Sequence, residues 1–305
     1  MLRLIIASEA KAVQGPHVVA EAGPVGSSQL CVGGVVAVFV TGPMQLSSER
    51  IRAMKQGEFV WYELCTSDPE AAAEFYASVV GWTVELSGLP GIEYRLASIG
   101  DRQIAGIMTL PSELMPPRPI WFGYIAAEDV DATARQIEAA GGSIHTAPQD
   151  IPTIGRFAVV SDPQGAVFML FRGLGEPPPP LAGEQTGSIG WHELHTSDWE
   201  KGWLFYERIF GWKKDAALDM GPMGTYQLFK TDASSIGGMM TDGQSPHPYW
   251  LYYFVVDDID AGLERVKAEG GTVQHGPQEV PGGAWIINAQ DPQGGGFALV
   301  GMRKG

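Results

Sequence analysis

The feature that most constrains this chain is that it repeats itself. WYELCTSD at residues 61–68 returns as WHELHTSD at residues 191–198, with the same spacing from tryptophan to aspartate. Further matches follow in the same order: EFY at 74–76 and LFY at 204–206, GW at 81–82 and 211–212, IAGIM at 104–108 and IGGMM at 236–240, and DPQG at 162–165 and 291–294. Register that holds from the first motif to the last leaves no room for chance, so the body of the chain is two copies of one domain. A chain of 305 residues is long for one core and comfortable for two.

Inside each copy the pattern splits again. Residues 58–66 alternate in the strand manner, and Asp68 then caps a helix with Pro69 at its first position, where a missing amide costs nothing. Ala72, Phe75, Tyr76 and Val79 form the apolar stripe of that helix, and Gly81 supplies its left-handed stop. Three short strands follow at 82–86, 93–99 and 103–110. After Pro119 the order restarts with a strand at 120–127, a helix capped near Asp129, a Gly141-Gly142 stop and three strands ending at Phe171. The unit is βαβββ, and it occurs four times. The expected organisation is a disordered or over-extended start (1–53, with Met54 the functional beginning), a first domain (54–172), a Pro-rich linker (173–186) and a second domain (187–305).

Charge and cysteine content narrow the function. With 20 Lys and Arg against 35 Asp and Glu the formal net charge is −15, and no basic run is present to neutralise a phosphate backbone, so nucleic acid is excluded as a partner. The longest apolar run, residues 30–40, falls short of the roughly 18 to 20 residues a membrane crossing needs. Two cysteines, Cys31 and Cys65, fit a reduced cytoplasmic chain better than a disulfide framework.

A βαβββ unit used in pairs, opening on a strand, a capping Asp, a helix with Phe-Tyr and a Gly-Trp, and closing on a DPQG turn before its last strand, resembles the vicinal-oxygen-chelate superfamily of glyoxalases, bleomycin-resistance proteins and dioxygenases. The likeness covers residues 57–172 and 187–303, and two-domain actinobacterial members are the most similar in plan. It implies an α+β fold in which four βαβββ units pair into two glyoxalase-like domains, each an open curled sheet around a cavity. It also implies metal ligands near the middle of each unit's first strand and on its last. Those positions fall on Trp61 and Phe122 with Met169 in the first copy, and on Trp191 and Leu251 with Ala298 in the second, with Phe168 and Phe297 one residue away. None is an electron-pair donor suited to a hard or borderline cation, so no metal and no other cofactor is expected.

Alternation puts Phe59, Trp61, Glu63 and Cys65 on one face of the first strand, and Ile189, Trp191, Glu193 and His195 on the same face of its copy. By the family comparison that face looks into the cavity. Glu63 and Glu193 are the candidate catalytic groups, because burial among aromatics raises a carboxyl pKa towards neutrality, where it can move a proton next to a carbonyl. The competing reading pairs Glu63 with Arg95 or Arg156. His195, two residues from Glu193, is a candidate ligand-binding residue and, with Glu193, an incomplete pair of metal ligands. Trp61, Trp191, Trp121, Trp250 and Trp285 are read as aromatic walls for a planar ligand, Trp82 and Trp212 as core, and His192 as a structural histidine on the opposite face. The expected protein binds a small organic molecule, has no nucleic-acid or membrane partner, and is a monomer with an internal pseudo-dimer or a homodimer. Glu-based, lyase-type proton transfer is its candidate activity. Two alternatives predict different chemistry: a metal-dependent glyoxalase or dioxygenase, and a resistance protein that only sequesters its ligand.

Overall fold

Four times in succession the chain lays down a strand, a helix and three further strands. The computed structural model describes residues 55–88, 93–110, 118–175, 185–232 and 234–304. The expectations for residues 1–53, including Cys31, for Met54 and for the middle of the linker lie outside these. The first half runs β1 (Phe59–Thr66), α1 (Pro69–Val80), β2 (Thr83–Leu86), β3 (Tyr94–Ile99), β4 (Arg102–Thr109), β5 (Ile120–Ala126), α2 (Val130–Ala139), β6 (Ser143–Ile151), β7 (Gly155–Ser161) and β8 (Val167–Gly173). The second runs β9 (Ile189–Thr196), α3 (Trp199–Phe210), β10 (Lys213–Asp219), β11 (Thr225–Lys230), β12 (Ser235–Thr241), β13 (Tyr249–Val256), α4 (Ile259–Ala268), β14 (Thr272–Glu279), β15 (Trp285–Gln290) and β16 (Gly296–Gly301). None of the described helices is long and apolar enough to cross a membrane.

The helix signals act as the residue types require. Asp68, in extended conformation, accepts the amide of Ala71 at 3.0 Å, and Gly81 ends α1 at φ +82°. Asp198 and Gly211 do the same for α3, the latter at φ +69°. Each half forms one curled eight-stranded sheet, in the order β2-β3-β4-β1-β5-β8-β7-β6 and β10-β11-β12-β9-β13-β16-β15-β14. Within a unit the first strand lies parallel to the last, which the intervening helix makes possible, and the two units of a half join where β1 meets β5, or β9 meets β13, antiparallel.

All four helices pack on the same side of their sheets, and one continuous core takes in both halves. The helix-free inner faces carry two separate clusters: Cys65, Phe122, Tyr124, Phe157, Val159 and Met169 in the first half, and Leu251, Tyr253 and Ala298 in the second. One expectation about facing is corrected. Phe59 and Ile189 do not share the inner face with the residues that follow them, because the pairing register shifts between Phe59 and Trp61 and again between Ile189 and Trp191. One extra residue in a strand turns everything beyond it to the other side. Phe59 therefore stacks on His192 at 3.9 Å, and Ile189 packs against the main core.

Candidate functional site

On each inner face one carboxylate is held by aromatic side chains from neighbouring strands. In the first half Trp61 Nε1 donates to the Tyr94 hydroxyl at 3.1 Å, and that hydroxyl donates to Glu63 Oε2, also at 3.1 Å. In the second half Trp191 Nε1 donates to Tyr226 at 2.8 Å, and Tyr226 donates to Glu193 Oε2 at 2.7 Å. The tyrosines come from β3 and β11, one strand beyond the neighbour of the glutamate, and reach across because Gly106 and Gly238 stand between. Each glycine is paired with the glutamate in register, and a Cβ on either would collide with the tyrosine ring. The glycine at the third position of IAGIM and IGGMM thus lets a phenol lie flat on the strand.

A second tyrosine, Tyr124 on β5 or Tyr253 on β13, flanks each carboxylate, and Tyr253 donates to Glu193 Oε1 at 3.0 Å. None of these four tyrosines is among the residues singled out by facing and motif. Their signal was the duplication itself, since Tyr94 and Tyr226 precede the glycine motifs by the same distance.

The two sites then diverge. Glu63 is 5 % exposed and is paired with no cation among the described residues: Arg95 pairs with Glu93, and Arg156 pairs with Asp131 and Asp150, so neither arginine is its partner. Its Oε1 has no hydrogen-bond partner among the described residues. Burial raises the Glu63 carboxyl above its usual range, opposed only in part by the phenols of Tyr94 and Tyr124. Burial raises the Cys65 thiol as well, reinforced by Glu63, so Cys65 is a closed, unreactive neighbour.

At Glu193, 8 % exposed, burial would also raise the carboxyl, but His195, Tyr226 and Tyr253 overcome it and hold Glu193 below its usual range. His195 Nε2 lies 2.7 Å from Glu193 Oε1, and Nδ1 lies 3.0 Å from Asp242 Oδ2. The imidazole stacks on Tyr249 with centroids 4.5 Å apart. Burial would lower its pKa, yet the two carboxylates raise it. Asp242 sits just past the end of β12 and also accepts the amides of Gln244 and Ser245.

The predicted tryptophans separate. Trp61 and Trp191 join the site on the inner face, both half-buried. Trp121 and Trp250 do not: they lie in the main core, where Trp121 donates to Tyr76 and Trp250 packs edge-on to Trp212. Trp285 lies on the same outer side under the Arg303 guanidinium, 3.7 Å from its ring centre. Strand alternation is the cause, since Phe122, Leu251 and Ile286, their neighbours in sequence, occupy the inner face. His192 is a core histidine. Burial pushes it down to about 4, with Nδ1 against Ile236 O and Nε2 against the Tyr62 hydroxyl. The surface clefts beside Lys55 and Asp232, and beside Lys213 and Ser235, hold none of the predicted site residues.

The positions that the resemblance assigns to metal ligands face inward as expected but carry the wrong chemistry. Trp61, Phe122 and Met169 line one inner face and Trp191, Leu251 and Ala298 the other. An indole, a phenyl and a thioether, or an indole and two aliphatic chains, do not fit a hard or borderline divalent cation. Both nitrogens of His195 are already engaged by carboxylates, and no group of three or more His, Cys, Asp or Glu among the described residues is placed to hold a metal ion.

Comparison with known proteins agrees with this architecture. The sequence matches the model of the Glyoxalase/Bleomycin resistance protein/Dioxygenase superfamily over residues 58–170 and again over 188–299. It is 32 % identical over 252 residues to the putative glyoxylase CFP32 of Mycobacterium tuberculosis, covering 81 % of this chain and 95 % of that one. It is 31 % identical over 269 residues to the anthracycline biosynthesis protein DauV of a Streptomyces species, covering 81 % and 94 %. Among solved structures, the Mn(II)-bound glyoxalase of Novosphingobium aromaticivorans superposes with a TM-score of 0.58 at 17 % identity, covering 82 % of this chain and 83 % of its own. The 2,2',3-trihydroxybiphenyl 1,2-dioxygenase of Sphingomonas wittichii superposes with a TM-score of 0.60 at 15 % identity, covering 81 % and 91 %. At that level of identity the structural likeness concerns the fold.

Proposed function

Because the chain belongs to the glyoxalase, bleomycin-resistance protein and dioxygenase superfamily, matched once in each half, we propose that it binds a small organic molecule on its inner faces without a metal and uses buried glutamates to handle a proton. The observation that carries this reading is the exchange of donor chemistry: aromatic and aliphatic groups stand at the expected ligand positions, while a Trp-Tyr-Glu chain is built twice beside them. A half-buried indole and phenols around one carboxyl suit an uncharged, largely apolar molecule with a carbonyl or hydroxyl to hydrogen-bond. The names of the relatives, a putative glyoxylase and an anthracycline biosynthesis protein, agree with a small organic ligand. Nothing in the donor set requires a cation to hold such a molecule.

Binding without turnover is favoured at one place, the first half, where Cys65, Leu110 and Ile120 beside Glu63 form an apolar group that offers no side chain to carry a proton. Native mass spectrometry with metal analysis on the full chain tests the reading. The mass is expected to be metal-free, and titration with 2-tetralone, an uncharged bicyclic ketone, is expected to give binding that EDTA does not change and that Trp61→Ala with Trp191→Ala weakens. A divalent ion retained in stoichiometric amount, whose removal abolishes binding, would overturn it.

A further inference from the structure

The two inner faces share Trp, Tyr, Glu and Tyr but differ at three neighbouring positions, and the three differ together. Cys65 of the first half is matched by His195, the residue that follows β4, Leu110, by Asp242, and Ile120 by Tyr249. The structural equivalence is direct. Leu110 donates its amide to Thr66 O as Asp242 does to Thr196 O, and Cys65 faces Ile120 in register as His195 faces Tyr249. In the first half the three pack as an apolar group. In the second they form a continuous line from Glu193 through the imidazole to Asp242, whose side chain is 19 % exposed just past the end of β12.

Resting on the reading above, we infer that the second half alone is the catalytic one: Glu193 exchanges a proton with a bound enolisable ketone, and His195 with Asp242 carries that proton to and from solvent, while the first half only binds. Glu193 takes the α-proton, the C–H electron pair becomes the C=C bond of the enolate, and the carbonyl π pair moves onto oxygen, which accepts the O–H of Tyr226 or Tyr253 as that hydroxyl turns away from the now neutral Glu193. The proton passes from Glu193 to Nε2 of the neutral imidazole while Nδ1 releases its own to Asp242. Return by the same path places a solvent proton on carbon, and no other reactant is consumed. Asp242 touches no substrate in this scheme. It is a positioning residue that fixes the ring through Nδ1 and, being partly exposed itself, links that nitrogen to water.

The groups that face the imidazole are Glu193 on its own strand, Asp242 after β12 and Tyr249 on β13, with Tyr226 of β11 and Tyr253 of β13 facing Glu193. The two carboxylates favour the charged ring, and only the neutral ring can accept the proton, so exchange should rise with pH through an inflection above the ordinary histidine value of about 6.5. The experiment follows loss of the α-proton signals of 2-tetralone in D2O by NMR, across pH, with binding measured in parallel. The full chain is expected to accelerate exchange over buffer. Glu193→Gln and His195→Cys should each lower the rate by about a hundredfold or more. Asp242→Asn should move the inflection to lower pH, a shift that loss of packing would not produce. His275→Gln, at an exposed strand position, should change neither rate nor profile. Exchange that survives His195→Cys with its profile intact, an inflection that Asp242→Asn leaves in place, or bound ketone with no acceleration overturns the relay and leaves the binding reading standing. Absence of binding overturns both. Asp242→Asn, a near-isosteric change at a partly exposed side chain, keeps the test valid should His195→Cys fail to fold.

Discussion

The same residue type at the same place in two copies is held in opposite states, and this has consequences for stability. Burial raises the Glu63 carboxyl, so the folded chain binds that proton more tightly than the unfolded chain. Stability falls as pH rises from the unfolded value towards the folded one, and ionised Glu63 is a net cost above it. Glu63→Gln, which keeps the shape and removes the charge, should therefore stabilise the protein at pH 8 by about 1 kcal/mol, with the gain vanishing near pH 4. Glu193 is depressed and His195 raised. The carboxylate's contribution is present above its ordinary value and lost as pH falls through the folded one. The imidazole's is present below its ordinary value and lost as pH rises through the folded one. The pair is thus most stabilising between about pH 4.3 and 6.5. Glu193→Gln should cost about 3 kcal/mol in that window, since it leaves an imidazolium poorly matched in a buried site, and less as pH rises through the raised histidine value. Thermal melts of the two variants across pH check this, and parallel behaviour of both would refute the assignment of opposite states.

At the scale of elements, β3 and β4 form one device with β1, as β11 and β12 do with β9. Tyr94 reaches Glu63 only over Gly106. Alanine in place of glycine in a strand usually stabilises by about 0.5 to 1 kcal/mol, but Gly106→Ala should destabilise by about 1 to 3 kcal/mol through the collision with Tyr94. Tyr94→Ala should relieve most of that cost, giving a coupling that urea unfolding of the double-mutant cycle measures. Additive costs would show that the glycine serves some other purpose. The repeated βαβββ order was legible in the sequence because caps, stops and alternation are local, and Asp68, Pro69 and Gly81 announce α1 within its own length. The inner-face placement of Trp61, Glu63 and His195 followed from the same alternation. Trp121, Trp250 and Trp285 face the core because alternation gives the inner face to the next residue in each strand, Phe122, Leu251 and Ile286, and an aromatic residue type alone does not say which of two adjacent positions points inward. Phe59 was misplaced because a bulge leaves no mark in the residue types around Val60. The tyrosines escaped notice because their contact with glutamate crosses from β3 over β4 to β1, and that neighbourhood exists only once the parallel pairing of β1 with β4 is known.

Across the whole molecule the halves are joined by contacts that come in reciprocal pairs. Tyr76 donates to Asp291 at 3.0 Å and Tyr206 to Asp162 at 3.1 Å, each linking a helix of one half to the DPQG turn of the other. Trp82 donates to Gly187 O at 2.7 Å and Trp212 to Gly57 O at 2.9 Å. Each aspartate also accepts amides of its own turn, so one carboxylate shapes the turn and receives the other half's phenol. Where equivalent residues meet, the reciprocity is broken. The counterpart of Tyr62 is His192, and the two unlike side chains hydrogen-bond to each other at 2.6 Å. The counterpart of Gly123 is Tyr252, and a Cβ on Gly123 would lie 2.6 Å from the Tyr252 hydroxyl and 2.8 Å from the ring of Phe59. A small residue on one half thus receives a large one from the other, so each half is shaped for its partner rather than for a second copy of itself. Gly123→Ala should accordingly destabilise the full chain by about 1 to 3 kcal/mol. Tyr252→Ala should cost more by itself, because it opens a cavity in the joint core, but in the double variant the two costs should not add. Denaturant unfolding of the cycle decides it: a coupling indistinguishable from zero would mean that the halves do not meet through this pair, and that the fit between them is set elsewhere along the interface.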